Sequence, residues 1–212
     1  MPALTAVTLG AGLFLADTSL VLTHTSQAAD VSAELQVHHD VSPSLHGLMS
    51  GLSTVGNTGE MIGAGVLLAL VFGRRRSWEP AIFLVVAVGG AVLLESLIKL
   101  AVERQRPHLW PSAQILSSYS FPSGHSTGSA ALAIAVIWLI LWRAGSGFAW
   151  PVAPIVILFA LSVGFSRVYL GVHWPTDVIG GESLSLFWVT TIVIIAKEVE
   201  NRRLVRGQTA NE

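Results

Sequence analysis

The sequence predicts an all-α, polytopic membrane protein with six transmembrane helices. Three observations lead there. Of 212 residues, 52% are hydrophobic and only 12% are charged, about half the roughly 25% charge of an ordinary soluble domain. The mean hydropathy is +0.64. The apolar residues also fall in six long continuous runs. Barrel strands would alternate over about ten residues instead, whereas helices satisfy their own backbone in lipid.

The runs cover roughly residues 4–22, 48–72, 81–101, 126–142, 150–165 and 178–196, each near the ~20 residues that cross a bilayer as a helix. The first lacks the basic leader of a signal peptide, although small residues at Ala28 and Ala29 would suit cleavage, and it is read as a span. The second carries Glu60 beside Asn57, Thr58 and Gly59, which suggests close packing or a polar lining; the sequence gives Glu60 no role. The third contains Glu95 and Lys99 one turn apart, so Glu95 either pairs with Lys99 or faces water. The fourth follows Pro122-Ser123-Gly124-His125, and the fifth ends at Ser166-Arg167. The sixth follows His173, Pro175 and Asp177, where Pro175 suits a first helical turn. No internal repeat stands out. The whole of 1–212 reads as one integral-membrane unit, with 197–212 as a cytoplasmic tail.

The basic residues orient these spans. Arg74, Arg75, Arg76, Arg143, Lys197, Arg202, Arg203 and Arg206 all follow even-numbered runs and define a cytoplasmic side that also holds both termini. The stretch 23–47 on the other side has acids but no Lys or Arg. Lys99, Arg104, Arg106 and Arg167 break the rule, and all seven histidines accompany them on the outer side. His24, His38, His39 and His46 are read as loop residues. Lys99 and Arg167 abut apolar helices, where a charge is costly unless paired or functional.

Lys99, Arg106 and Arg167 form a cluster that repels itself unless an anion is present, and a phosphate matches the arginine fork. Pro122–His125 opens a helix, whose first N–H groups favour a bound anion; Gly124 allows close approach and Ser123 offers a hydroxyl or a plain N-cap. Asp177 either complements the helix dipole or orients one nitrogen of His173, leaving the other to attack phosphorus. His125 is then the general acid. Two or three histidines with Asp177 would also suit zinc, but three nearby cations disfavour a divalent metal. The absence of cysteine excludes disulfides and thiolate sites. The net charge of −1 says nothing useful about partners, and no nucleic acid is expected.

Lys99-x6-Arg106-Pro107, Pro122-Ser123-Gly124-His125 and Ser166-Arg167-x5-His173-x3-Asp177 resemble, in order and spacing, the three signature motifs of the type 2 phosphatidic acid phosphatase (PAP2) superfamily. The resemblance spans about residues 50–196 and implies a PAP2-like helical bundle. It implies that Lys99, Arg106, Ser123, Gly124 and Arg167 bind the phosphoryl group and that His173 forms a phosphohistidine. Asp177 would orient His173 and His125 would serve as acid, with no metal or cofactor. After Pro107 the sequence continues His108-Leu109-Trp110-Pro111, where many members repeat Arg-Pro, so the headgroup meets one fewer arginine. Arg104 lies outside the pattern and is read as a rim residue with Glu103 as its candidate partner. Trp110, Trp142, Trp150, Trp174 and Trp188 are read as an interfacial belt, Trp174 also as a wall of the substrate entrance.

The expected activity is removal of a terminal phosphate from a membrane lipid at the outer face of a bacterial inner membrane. Polyprenyl (undecaprenyl) diphosphate, phosphatidylglycerophosphate and phosphatidic acid are the candidate substrates. A lipid phosphotransferase would use the same intermediate. Vanadate haloperoxidases share the motifs but are soluble. A lipid or anion transporter would explain the cations, though not the two histidines with Asp177.

Overall fold

The computed structural model describes residues 2–110 and 116–209, with side chains from 3 to 205. Pro111 and the side chain of Arg206, both used above, lie outside the described residues. These residues form helices and turns with no strand: α1 (Pro2–Leu22), α2 (Gln27–Asp40), α3 (His46–Val55), α4 (Thr58–Arg74), α5 (Trp78–Leu84), α6 (Gly90–Val102), α7 (Gly124–Arg143), α8 (Ser146–Tyr169) and α9 (Pro175–Thr209). A π-helical turn, Val85–Gly89, joins α5 to α6, so Trp78–Val102 is one span. With α1, α7, α8 and α9 it makes five helices long and apolar enough to cross a membrane, and the bent pair α3–α4 makes a sixth.

The second apolar run is therefore two helices that meet at 49°. Gly56 ends α3 against Val163, whose methyls would lie 2.4 Å from an added Cβ. Asn57 then caps α4, its Oδ1 accepting from the Gly59 N–H at 2.9 Å, which satisfies one of the new helix's orphan donors. Glu60 stands exposed in the first turn of α4. At the other end of the chain, α9 continues through the expected tail to Thr209.

The central packing is α7 against α8 and α9, with α1 lying along α9. Small residues permit it, as expected where lipid supplies no hydrophobic drive between helices. Ala131 and Ala135 of α7 pack with Leu84, Ala87 and Ala91 of the third span and Val189 of α9. A Cβ on Gly10 would meet the Phe187 nitrogen at 2.6 Å, so α1 and α9 touch backbone to backbone. In the π turn the Val86 carbonyl accepts from the Gly90 N–H and also from Trp188 Nε1 at 3.0 Å.

The stretch read as a loop contains α2. His38 and His39 lie in its last turn and His46 opens α3; only His24 sits in a turn. The α2 sequence is too polar to register as an apolar run. Its buried face is acidic: Asp30 is 2% exposed and Glu34 0%. It packs on α8 and α9, and His38 stacks on Trp110 with ring centroids 4.0 Å apart.

Candidate active site

Three chain segments converge at the end of the bundle covered by α2. The first begins with Lys99 in the last turn of α6. Its ammonium is paired with Glu95, which also accepts from Ser96 Oγ at 3.1 Å. The pairing expected one turn apart is formed, and both side chains are largely buried. Glu103 then turns the chain in a left-handed conformation, φ +52°, uncommon for a residue with a Cβ. Arg104 to Pro107 leave the helix and cross the bundle end as irregular chain.

Arg106 holds this crossing in place. Its Nε donates to the Ser118 carbonyl at 2.8 Å. Nη1 donates to the Val172 carbonyl at 2.7 Å and to His173 Nε2 at 2.8 Å. Nη2 donates to Ser118 Oγ at 3.0 Å and the Tyr119 carbonyl at 3.2 Å.

The second segment is Phe121–His125. Ser123 caps α7, its hydroxyl accepting from the Ser126 N–H at 3.4 Å, and its own N–H donates to the Asp177 carbonyl at 2.8 Å. A Cβ on Gly124 would lie 2.9 Å from both the Glu95 carboxylate and the Thr58 hydroxyl, so a larger residue here would push those two side chains aside. A Cβ on Gly181 would likewise lie 2.7 Å from the Ser123 carbonyl. His125 is half-buried and lies within electrostatic reach of Arg167, His173, Lys99 and Arg106.

The third segment ends α8 and starts α9. Arg167, 1% exposed, donates through Nη1 to Ser53 of α3. His173, 1% exposed, sits between the helices. Burial pushes its imidazole well below the usual range, and Arg106, Lys99 and Arg167 push the same way. The ring is therefore neutral. Because arginine can only donate, Nε2 accepts from Arg106, and the ring proton sits on Nδ1. That proton faces Asp177 Oδ2 at 3.3 Å and Ser120 Oγ at 3.4 Å. Asp177 Oδ2 also accepts from Ser120 Oγ and from the Trp174 N–H at 2.8 Å.

The structure thus brings together Lys99, Arg106, Ser123, Gly124, His125, Arg167, His173 and Asp177. Arg104 corrects the sequence expectation. It is no rim residue and its partner is not Glu103: Nη2 donates to Asp30 at 2.6 Å, while Nη1 donates to Asp177 Oδ1 at 2.7 Å and Thr176 Oγ1 at 2.6 Å. One signal was present. Arg104 and Arg106 are two apart, so in extended chain both reach the same side. Trp174 is also buried, 5% exposed. Its Nε1 donates to the Gln105 carbonyl at 3.0 Å and its ring lies 5.6 Å from the Arg104 guanidinium, so it clamps the crossing and belongs to no belt. Trp110 packs on His38, whereas Trp150 is 78% exposed, as a belt residue should be. Ser53, Asp30, Ser120 and Thr176 were not singled out by the sequence, because a serine, threonine or loop acid has no local mark of its partner. His108 is exposed and contributes no contact here. Among the described residues no group of three or more His, Asp or Glu is arranged to hold a metal ion.

Comparison with known proteins agrees in sequence and in fold. A sequence model of the PAP2 superfamily matches residues 80–200. Phosphatidylglycerophosphatase B of Bacillus subtilis (strain 168) is 34% identical over 176 residues, 82% of this chain and 86% of that protein. An undecaprenyl-diphosphatase of Sulfolobus acidocaldarius is 32% identical over 168 residues, 74% of this chain and 73% of its own. The crystal structure of a transmembrane PAP2-type phosphatidylglycerolphosphate phosphatase from Bacillus subtilis superposes with a TM-score of 0.78 at 30% identity, covering 92% of this chain and 96% of that one.

Proposed function

Because this chain belongs to the PAP2 superfamily, we propose that it is a membrane phosphatase that removes the terminal phosphate from a lipid phosphate or diphosphate. The two-sided setting of His173 carries this conclusion: Nδ1 faces Asp177, and Nε2, with its lone pair, faces the cations. Lys99, Arg106 and Arg167 bind the phosphoryl oxygens, with Ser123 Oγ and the Gly124 N–H as further donors. His173 Nε2 attacks phosphorus, the P–O bond to the lipid breaks, and His125 gives its proton to the departing oxygen. Water then attacks the phosphohistidine, its proton passes to His125, the N–P bond breaks and inorganic phosphate leaves. Asp177 stabilises the imidazole through both steps. Three cations supply the charge that a divalent ion would otherwise provide.

Relatives named for phosphatidylglycerophosphate and undecaprenyl diphosphate support a substrate whose tail stays in lipid while its headgroup reaches the cations. Several cations favour a diphosphate. The chain acts as one unit in the cell (inner) membrane, with the site facing the periplasm or exterior and both termini cytoplasmic. Arg74 at the end of α4 and Arg143 at the end of α7, both at the far end of the bundle, support that orientation.

The test is phosphate release from phosphatidic acid, phosphatidylglycerophosphate and undecaprenyl diphosphate by protein purified in detergent, with EDTA present. His173→Ala is expected to lose activity at least about 10³-fold. Retention of most activity would overturn the mechanism.

A further inference from the structure

The Nδ1 face of His173 is bounded by two groups, the Asp177 carboxylate and the Ser120 hydroxyl. Both residues are tied to Arg104. The Arg104 carbonyl accepts from the Ser120 N–H at 2.8 Å, and the Arg104 guanidinium donates to Asp177 Oδ1 at 2.7 Å. The carboxylate is thereby divided: Oδ1 belongs to Arg104, and Oδ2 is turned to Ser120, the Trp174 N–H and His173. The guanidinium is itself fixed from a second side. Asp30 of α2 accepts from Nη2 at 2.6 Å and binds Thr176, the neighbour of Asp177, through its N–H at 3.0 Å and its hydroxyl at 2.7 Å. Arg104 and Asp30 are 9% and 1% exposed at their side chains. A planar fork is needed to join two carboxylates in fixed geometry, and an ammonium cannot supply it.

We propose that Arg104 is a positioning residue for the reaction, anchored by Asp30 of α2, and that the two together aim the Asp177 carboxylate at His173. It rests on the assignment of His173 as nucleophile. Neither residue touches the phosphate; they act through Asp177 and Ser120. The outer helix α2 is then part of the catalytic apparatus and not a cover for it.

The experiment is rapid-quench formation of acid-labile phosphoenzyme by the full chain in detergent, read as amplitude and rate constant, beside steady-state kcat and KM. Arg104→Lys is expected to lower the phosphorylation rate constant about 10²-fold, the scale of a roughly 1 Å misplacement. The amplitude and KM should stay near wild type, because phosphate-binding groups are untouched. Asp30→Asn should lower the same rate constant about tenfold. The double variant should be little worse than Arg104→Lys, since residues acting as a unit are not additive. A merely structural role would lower amplitude at an unchanged rate constant, and that result overturns the proposal. So does a wild-type rate constant in both variants, or an effect confined to KM. If Arg104→Lys does not fold, Asp30→Asn decides by the same readouts. Absence of phosphoenzyme in the wild-type protein would instead overturn the His173 assignment, and this proposal with it.

Discussion

Arg106 donates to His173 Nε2 at 2.8 Å, so the nitrogen that faces the cations keeps its lone pair and the opposite nitrogen carries the proton. Burial and the three neighbouring cations depress this imidazole well below its ordinary range near 6.5. The ring therefore stays neutral as pH falls through 6.5, and the nucleophile proposed here is lost only further down. The acid limb of kcat/KM, measured between pH 4.5 and 8, should have its midpoint below 6.5. A midpoint at or above 6.5 that reports His173 protonation would contradict a neutral ring.

Ser120 should matter to both rate and stability. Its hydroxyl donates to Asp177 Oδ2 in a fully buried setting. Ser120→Ala removes a hydrogen bond to a charged group, a loss of about 1.5–3 kcal/mol, and leaves Asp177 Oδ2 with one donor fewer. Turnover is expected to fall about tenfold or more, together with a lower melting temperature in detergent. Wild-type turnover in Ser120→Ala would show that the hydroxyl is dispensable.

Glu34 gives a stability test with a defined sign. Burial pushes its carboxyl up to about 8, Asp177 and Asp30 add to the rise, and Arg104 opposes it. The native protein thus keeps a proton that the unfolded chain releases above about 4.5. Stability from this source is full below about 4.5 and is lost as pH rises toward 8. Glu34→Gln mimics the neutral form. It should melt several degrees above wild type at pH 8, and most of that gap should close at pH 5. A gap that is equal at the two pH values would mean that Glu34 does not titrate between them.

Gly181 tests how closely the second motif must sit on α9. An added methyl would lie 2.7 Å from the Ser123 carbonyl, which is backbone and cannot swing away. Gly181→Ala is expected to cost about 1–3 kcal/mol by overpacking and to shift Ser123 and Gly124 away from the proposed phosphate site. Phosphate release should then fall through a raised KM as well as a lowered kcat. An unchanged KM with normal melting would show that the helices separate without consequence.

Much of this molecule is legible from composition and spacing. Long apolar runs report spans directly, since lipid leaves helices few alternatives, and the three motifs name the residues that meet at His173. What escaped depends on partners far apart in sequence. Arg104 reads as a rim residue in the sequence because its carboxylates, Asp30 and Asp177, are 74 and 73 positions away. Helix α2 escaped because its buried face is acidic, the reverse of the apolar stripe that marks an ordinary surface helix. The bend at Gly56–Asn57 carried a local signal, an asparagine N-cap inside an apolar run, and hydropathy masked it. Trp174 was grouped with belt tryptophans by position alone, although its Nε1 had a backbone carbonyl to meet.

Helix α9 has 35 residues, about 50 Å at ~1.5 Å per residue, well beyond the ~30 Å hydrocarbon layer. Asp177 lies in its first turn, while near its other end Arg203 donates to Glu79 at 3.1 Å. One rod therefore joins the carboxylate that faces His173 to the charged residues at the far end of the bundle. Sliding it along its axis would take Asp177 out of register with Ser120. The same helix thus carries the Asp177 carboxylate at one end and a charged anchor, Arg203 on Glu79, at the other.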